Sequence, residues 1–304
     1  MIRSGRGPMI IVLAAGCAAA VTAATALPAL ARAEHSATGS TAAAAARAAA
    51  STGICTSAKH PKLAARISRG VSSALAARPD STVGLTVSDA AEELTCSLHP
   101  AWHFISASVI KVTIISALLL KKGGVSKLTT AQHNLAWQMI TQSNDDAATD
   151  LWDEVGLTAM QKFLDRAGMT HTELNDAWGL TKLTAHDEMT LLHLLTTKGT
   201  VLSNASRGYV LYLMEHVIPS QRWGVPYGAP SDVTVHVKNG WLPYPDTNLS
   251  ADDWHINSIG AFTGKNIAYQ IVVLTEPRGA QSEGYGITTI EDAALVINRD
   301  LAKA

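Results

Sequence analysis

The spacing of apolar and polar positions changes character several times along the chain, and each change marks an element. After Pro61, apolar residues recur at helical spacing from Lys62 to Ala77, and Arg78-Pro79-Asp80 ends the segment. Ser81–Ser88 and Glu93–Leu98 then alternate with period two, as two strands joined by a turn at Asp89–Glu92. The alternation stops at Ser106. From Ser108 to Lys122 nearly every face is apolar (Val109, Ile110, Val112, Ile114, Ile115, Leu118), and Gly123-Gly124 ends the run, which predicts a helix buried in the middle of a domain.

More helices follow. Thr130–Thr141 is amphipathic, Asp146–Val155 ends at Gly156, Thr158-x-x-Gln161 reads as a capping box for a helix closing at Gly168, and Thr184-x-x-Asp187 opens another closing at Gly199. Ser203–Val217 completes the group. Strand character returns over Val233–Lys238, Trp254–Phe262 and Ile267–Thr275, with a turn at Thr263–Asn266, and Thr288–Ala302 reads as a final helix. The order predicts an α+β fold. Its five-stranded antiparallel sheet is flanked by N- and C-terminal helices, and an all-α subdomain over about residues 105–220 is inserted between the second and third strands.

The N-terminus lies outside this pattern. Arg3 and Arg6 precede an apolar run from Met9 to Leu30, and Ala31-Arg32-Ala33 supplies the small residues of a cleavage site, so residues 1–33 read as an export signal. Two less favoured alternatives stay open: lipidation of Cys17 in Leu13-Ala14-Ala15-Gly16-Cys17, and a membrane anchor. Apart from Glu34, His35 and Arg47, residues 34–53 are Ala, Ser, Thr and Gly with no large apolar side chain, and read as a disordered tether. The working domain is then 54–304. The mature chain is expected to be secreted or held in the cell envelope, with no integral membrane span, and to act as a monomer.

Composition adds two constraints. With 24 Lys+Arg against 25 Asp+Glu and no basic run, the chain lacks the footprint that nucleic-acid binding requires. Of the three cysteines, Cys55 and Cys96 fall in the domain, and in an oxidising compartment an even pair favours a disulfide over two buried thiols. No cofactor motif is present. Metal spacing is absent too, because His186 and His193 share a predicted helix face without a third ligand.

The chemistry centres on Lys111. On a helix that is apolar all round its ammonium is buried, which lowers its pKa and favours the neutral amine, a base. Ser108 lies one turn earlier on the same face, near the positive end of the helix dipole. Ser-x-x-Lys alone is a weak signal, readable also as an N-cap and a snorkelling lysine. Two further elements strengthen it: Ser143-Asn144-Asp145 between two helices, and Lys238-Asn239-Gly240 on the third strand, followed by Trp241.

With these three elements in this order, the sequence resembles the class A β-lactamases and the penicillin-binding proteins related to them, whose motifs are Ser-x-x-Lys, Ser-Asp-Asn and Lys-Thr-Gly or Lys-Ser-Gly. The resemblance covers residues 54–304 and implies the β-lactamase/transpeptidase-like fold. It implies that Ser108 is the acylated nucleophile, Lys111 its base, and Ser143 a proton relay. Lys238, Asn239, Gly240 and Trp241 are implied to bind substrate, the backbone of Trp241 joining that of Ser108 in an oxyanion hole. Asp145 stands where the family offers an amide, and Asn239 replaces a hydroxyl residue. The family's deacylating glutamate is matched by Glu173, slightly after the family position, where His171 falls. What the resemblance implies is an exported serine hydrolase acting on β-lactams or related amides and esters, with a role in antibiotic response. The alternatives are a cell-wall D,D-peptidase or penicillin-binding protein that acts on peptidoglycan-like substrate and deacylates slowly, and a non-catalytic binding member of the fold.

Overall fold

Strand β1 (Cys55–Ser57) leads into α1 (Pro61–Ala76), followed by the hairpin of β2 (Ser81–Asp89) and β3 (Leu94–Leu98). β4 (His103–Ile105) and a 3₁₀ turn over Ala107–Val109 introduce α2 (Ile110–Lys122). The helical block continues through α3 (Thr130–Thr141), α4 (Asp145–Val155), α5 (Leu157–Ala167), the short strand β5 (Lys182–Thr184), α6 (Ala185–Thr196) and α7 (Asn204–Glu215). β6 (Thr234–Pro243), β7 (Trp254–Gly264) and β8 (Ile267–Pro277) return to the sheet, and α8 (Glu283–Leu301) ends the chain. This computed structural model describes residues 53–243, 254–265, 267–279 and 281–304. The expected signal, Cys17 and residues 34–52 of the expected tether lie outside them.

The sheet is antiparallel throughout, in the order β1-β3-β2-β8-β7-β6. It has six strands rather than the expected five. The extra one is β1, whose three residues are too few to show an alternating pattern; it pairs with β3 at Cys55 opposite Cys96, and these cysteines form a disulfide. β4 and β5 form a separate two-stranded ribbon.

Side chains of β8 alternate between two cores. Val272 and Leu274 pack with the helical block, and Ile271 and Val273 pack with α1 and α8. Within the first core α2 is buried nearly all round, as its composition requires, and Gly123 (φ 82°) ends it in the left-handed conformation. Among the described residues, no helix is long and apolar enough to cross a membrane.

Several boundaries differ from the sequence pattern for local reasons. Thr158 caps nothing: α5 already starts at Leu157, with Gly156 as its N-cap. Thr184 does cap α6 by accepting from the Asp187 N–H, but the Asp187 carboxylate turns away to the 171–172 backbone and hydroxyl instead of closing a capping box. That helix stops at Thr196, short of Gly199. α8 begins at Glu283, well before Thr288, because Gly284 and Gly286 hide the helical pattern; a Cβ on Gly286 would lie 2.6 Å from Ile256 Cγ1, so glycine lets the helix sit directly on the sheet.

Candidate active site

Ser108 lies in the 3₁₀ turn that runs into α2, preceded by Ala107 at φ 46°, in the left-handed region that non-glycine residues rarely adopt. Both flanks of this turn are tied down. Asn257 on β7 donates to the carbonyls of Ile105 (2.8 Å) and Ser106 (3.1 Å), while the Ser106 N–H donates to Thr181 O at 2.8 Å. The Ser106 hydroxyl donates to Gly179 O at 3.2 Å. These contacts, rather than a serine N-cap, fix the turn: no side chain caps the first turn of α2.

One turn along, Lys111 is fully buried, and its Nζ lies 2.9 Å from Ser108 Oγ. It also donates to Ser143 O (2.8 Å), Ser143 Oγ (3.3 Å) and Asp145 Oδ1 (2.5 Å), and the Trp178 ring centroid is 4.7 Å away. Burial pushes the pKa of Lys111 down; the hydrogen bond and charge of Asp145 push it back up without cancelling the shift.

Ser143 sits between α3 and α4 at φ 56°, a second left-handed non-glycine residue. The order Ser-Asn-Asp has a local logic here. Asn144 is the N-cap of α4, accepting from the Ala147 N–H at 2.7 Å, and Asp145 opens the helix with its carboxylate on Lys111. From the sheet side, Lys238 on β6, also fully buried, donates to Ser143 Oγ at 2.9 Å. Burial and then the charge of Lys111 hold Lys238 well below the ordinary lysine range, with Asp145 opposing. A continuous bonded chain results: Ser108 Oγ, Lys111 Nζ, Ser143 Oγ, Lys238 Nζ.

β6 is an edge strand, and at Gly240 its backbone meets the serine turn. A Cβ there would stand 2.8 Å from Ser108 N, 2.9 Å from Ser106 O and 2.9 Å from Val109 N. Only glycine permits this approach. Trp241 follows, with its ring edge-on to Trp223 at 6.0 Å.

Two sequence expectations take a different place. Asn239 does not turn its amide toward the serine; Nδ2 donates to Gln221 O (2.8 Å) and Trp223 O (2.9 Å), because strand alternation sends it to the side opposite Lys238. Glu173 pairs its backbone with Lys182, and its exposed carboxylate lies 3.7 Å from both His103 Nε2 and Lys182 Nζ. None of its bonds reaches Ser108, Lys111 or Ser143. The sequence reading missed Asn257, Ser106 and Trp178. No motif surrounds them; they meet the serine turn only through tertiary contacts.

Comparison with known proteins gives one family and one fold. A family model described as the beta-lactamase enzyme family matches residues 120–301, a span that includes Ser143 and Lys238 and begins just after Lys111. Among solved structures, a class A β-lactamase from Bacteroides cellulosilyticus aligns with TM-score 0.67 at 16% identity over 79% of this chain and 98% of that one. A leucine-to-glutamate mutant of PBP-A, determined as its acyl-enzyme complex with penicillin G, aligns with TM-score 0.65 at 17% identity over 79% of this chain and 97% of that one. A β-lactamase from Sphaerobacter thermophilus gives 0.63 at 19% identity, covering 78% and 98%. No curated protein matches the sequence. These likenesses identify the β-lactamase/transpeptidase-like fold.

Proposed function

The chain belongs to the β-lactamase enzyme family, and on that premise we propose that it is an exported serine hydrolase that forms an acyl-enzyme on Ser108 with a β-lactam or a related amide or ester. The observation that carries this reading is the bonded chain from Ser108 through Lys111 and Ser143 to Lys238. Neutral Lys111 accepts the Ser108 proton as Oγ attacks the substrate carbonyl. The backbone N–H groups of Ser108 and Trp241 receive the developing oxyanion, and Ser143 passes a proton to the leaving nitrogen. Lys238 holds Ser143 and anchors a substrate carboxylate. Export is supported by the signal-like N-terminus and by the Cys55–Cys96 disulfide.

Release of the acyl group separates two readings. In the first, Glu173 or another base activates water and turnover follows. The second is a penicillin-binding or D,D-peptidase type of enzyme that holds its acyl group, and one observation favours it: the Glu173 carboxylate is paired with His103 and Lys182, while the Trp178 ring covers Lys111. Pre-steady-state kinetics with a chromogenic β-lactam in excess over the enzyme distinguish them. A burst equal to the enzyme concentration followed by slow turnover is the outcome expected on the second reading, and rapid steady turnover without a burst would reject it.

A further inference from the structure

A separate polar cluster lies where the loop after α5 meets the start of α6. Nδ1 of His171 and Nδ1 of His186 each stand 3.3 Å from Asp187 Oδ1, and the two rings cross edge to face with centroids 5.5 Å apart. One ligand atom from each of the three residues lies within 4.8 Å of the other two. His193, which shares the predicted helix face of His186, is not a member; the third ligand comes from across the loop.

The separations have a specific meaning. A tetrahedral ion with bonds of 2.0–2.1 Å to imidazole nitrogen and carboxylate oxygen places neighbouring donor atoms about 3.3 Å apart. An N–H···O hydrogen bond centres near 2.9–3.0 Å; at 3.3 Å both rings are within reach of such a bond to Oδ1 and also stand at a separation that a shared ion accommodates. Asp187 is fully buried, and its other oxygen accepts from the His171 N–H (2.8 Å) and the Thr172 hydroxyl (2.8 Å). Those bonds orient the carboxylate toward the rings, as outer-shell bonds do for metal ligands. The imidazoles are about half exposed and so open to an ion from solvent.

The geometry points to a binding site for a divalent transition-metal ion, Zn²⁺ foremost, held by His171 Nδ1, His186 Nδ1 and Asp187 Oδ1, with water completing the shell. Two imidazoles and one carboxylate suit zinc, cobalt, nickel or copper rather than the all-oxygen shells of calcium and magnesium. Each histidine binds through an unprotonated Nδ1, keeping its proton on Nε2. The ligands join the two ends of the segment that carries Glu173 and Trp178, so the ion clamps that segment while the serine centre keeps its own bonds.

The test uses the untagged chain freed of metal with a chelator and then titrated with Zn²⁺ and, separately, Co²⁺. One Zn²⁺ per chain, a rise in Tm and the visible absorption of low-symmetry Co²⁺ are expected. His171→Ala and His186→Ala should each weaken Zn²⁺ binding by about tenfold or more, while His216→Ala, at the C-cap of α7, leaves it unchanged. Both ligand histidines are half exposed, so these variants fold, which the buried Asp187 does not guarantee. Absence of saturable binding, or binding that survives the double His171→Ala/His186→Ala substitution, would overturn the proposal.

Discussion

Lys111 shows how a single residue's surroundings set its chemistry. Removing an ammonium from water raises the cost of its charge, and here that cost outweighs the nearby Asp145 carboxylate, so the amine loses its proton more readily than an ordinary lysine. On the proposed mechanism acylation needs the neutral amine, so its rate rises with pH through the Lys111 pKa, and that limb lies below the ordinary lysine value of about 10.4. Asp145→Asn removes the group that holds the proton on Lys111 and should move the limb to still lower pH; a pH–rate profile of acylation for both proteins checks this. Ser108 and Lys111 were legible because an apolar pattern with one lysine is anomalous. Asp145 was legible as a position, with Lys111 among the partners open to it; the choice of Lys111 rests on a bond that crosses from one helix to another. Trp178 and Asn257 left no periodic trace, for the same reason.

Among the elements, the 3₁₀ turn before α2 depends on what packs on it. Gly240→Ala would drive a Cβ into the backbone of Ser106, Ser108 and Val109, and backbone atoms cannot swing aside as a side chain does. A displacement near 1 Å at a reacting group costs on the order of 10²-fold in rate, and a loss of that size in acylation is expected, with unchanged far-UV circular dichroism. Asn257→Ala takes the amide donor from Ile105 O and from Ser106 O, the latter keeping its bond from the Val109 N–H. It should lower stability by about 1–3 kcal/mol, read from urea unfolding. The long elements were legible from their periods, whereas β1, β4 and β5, at three residues each, had no room to display one. Their existence is settled by partners distant in sequence.

For the whole molecule, sheet order separates stability from chemistry. The Cys55–Cys96 disulfide lies at the β1–β3 edge, and Lys238 and Gly240 lie on β6 at the opposite edge. It closes a loop of sequence separation 41, for which a stabilisation of roughly 2–4 kcal/mol is typical. A Cys55→Ala/Cys96→Ala double variant should therefore unfold at lower urea concentration yet acylate at the wild-type rate. The α+β arrangement itself followed from the order of periodicities, since both ends of the chain carry strand patterns around one helical block.

The central claim is that Ser108 is the nucleophile of an acyl-enzyme. The most direct measurement is mass spectrometry of the full chain after incubation with a penicillin, followed by proteolysis and peptide mapping, with Ser108→Ala treated in parallel. The account predicts one adduct per chain, on the peptide containing Ser108, and none on the folded Ser108→Ala protein. An adduct on another residue, or equal labelling of the Ser108→Ala variant, would contradict it.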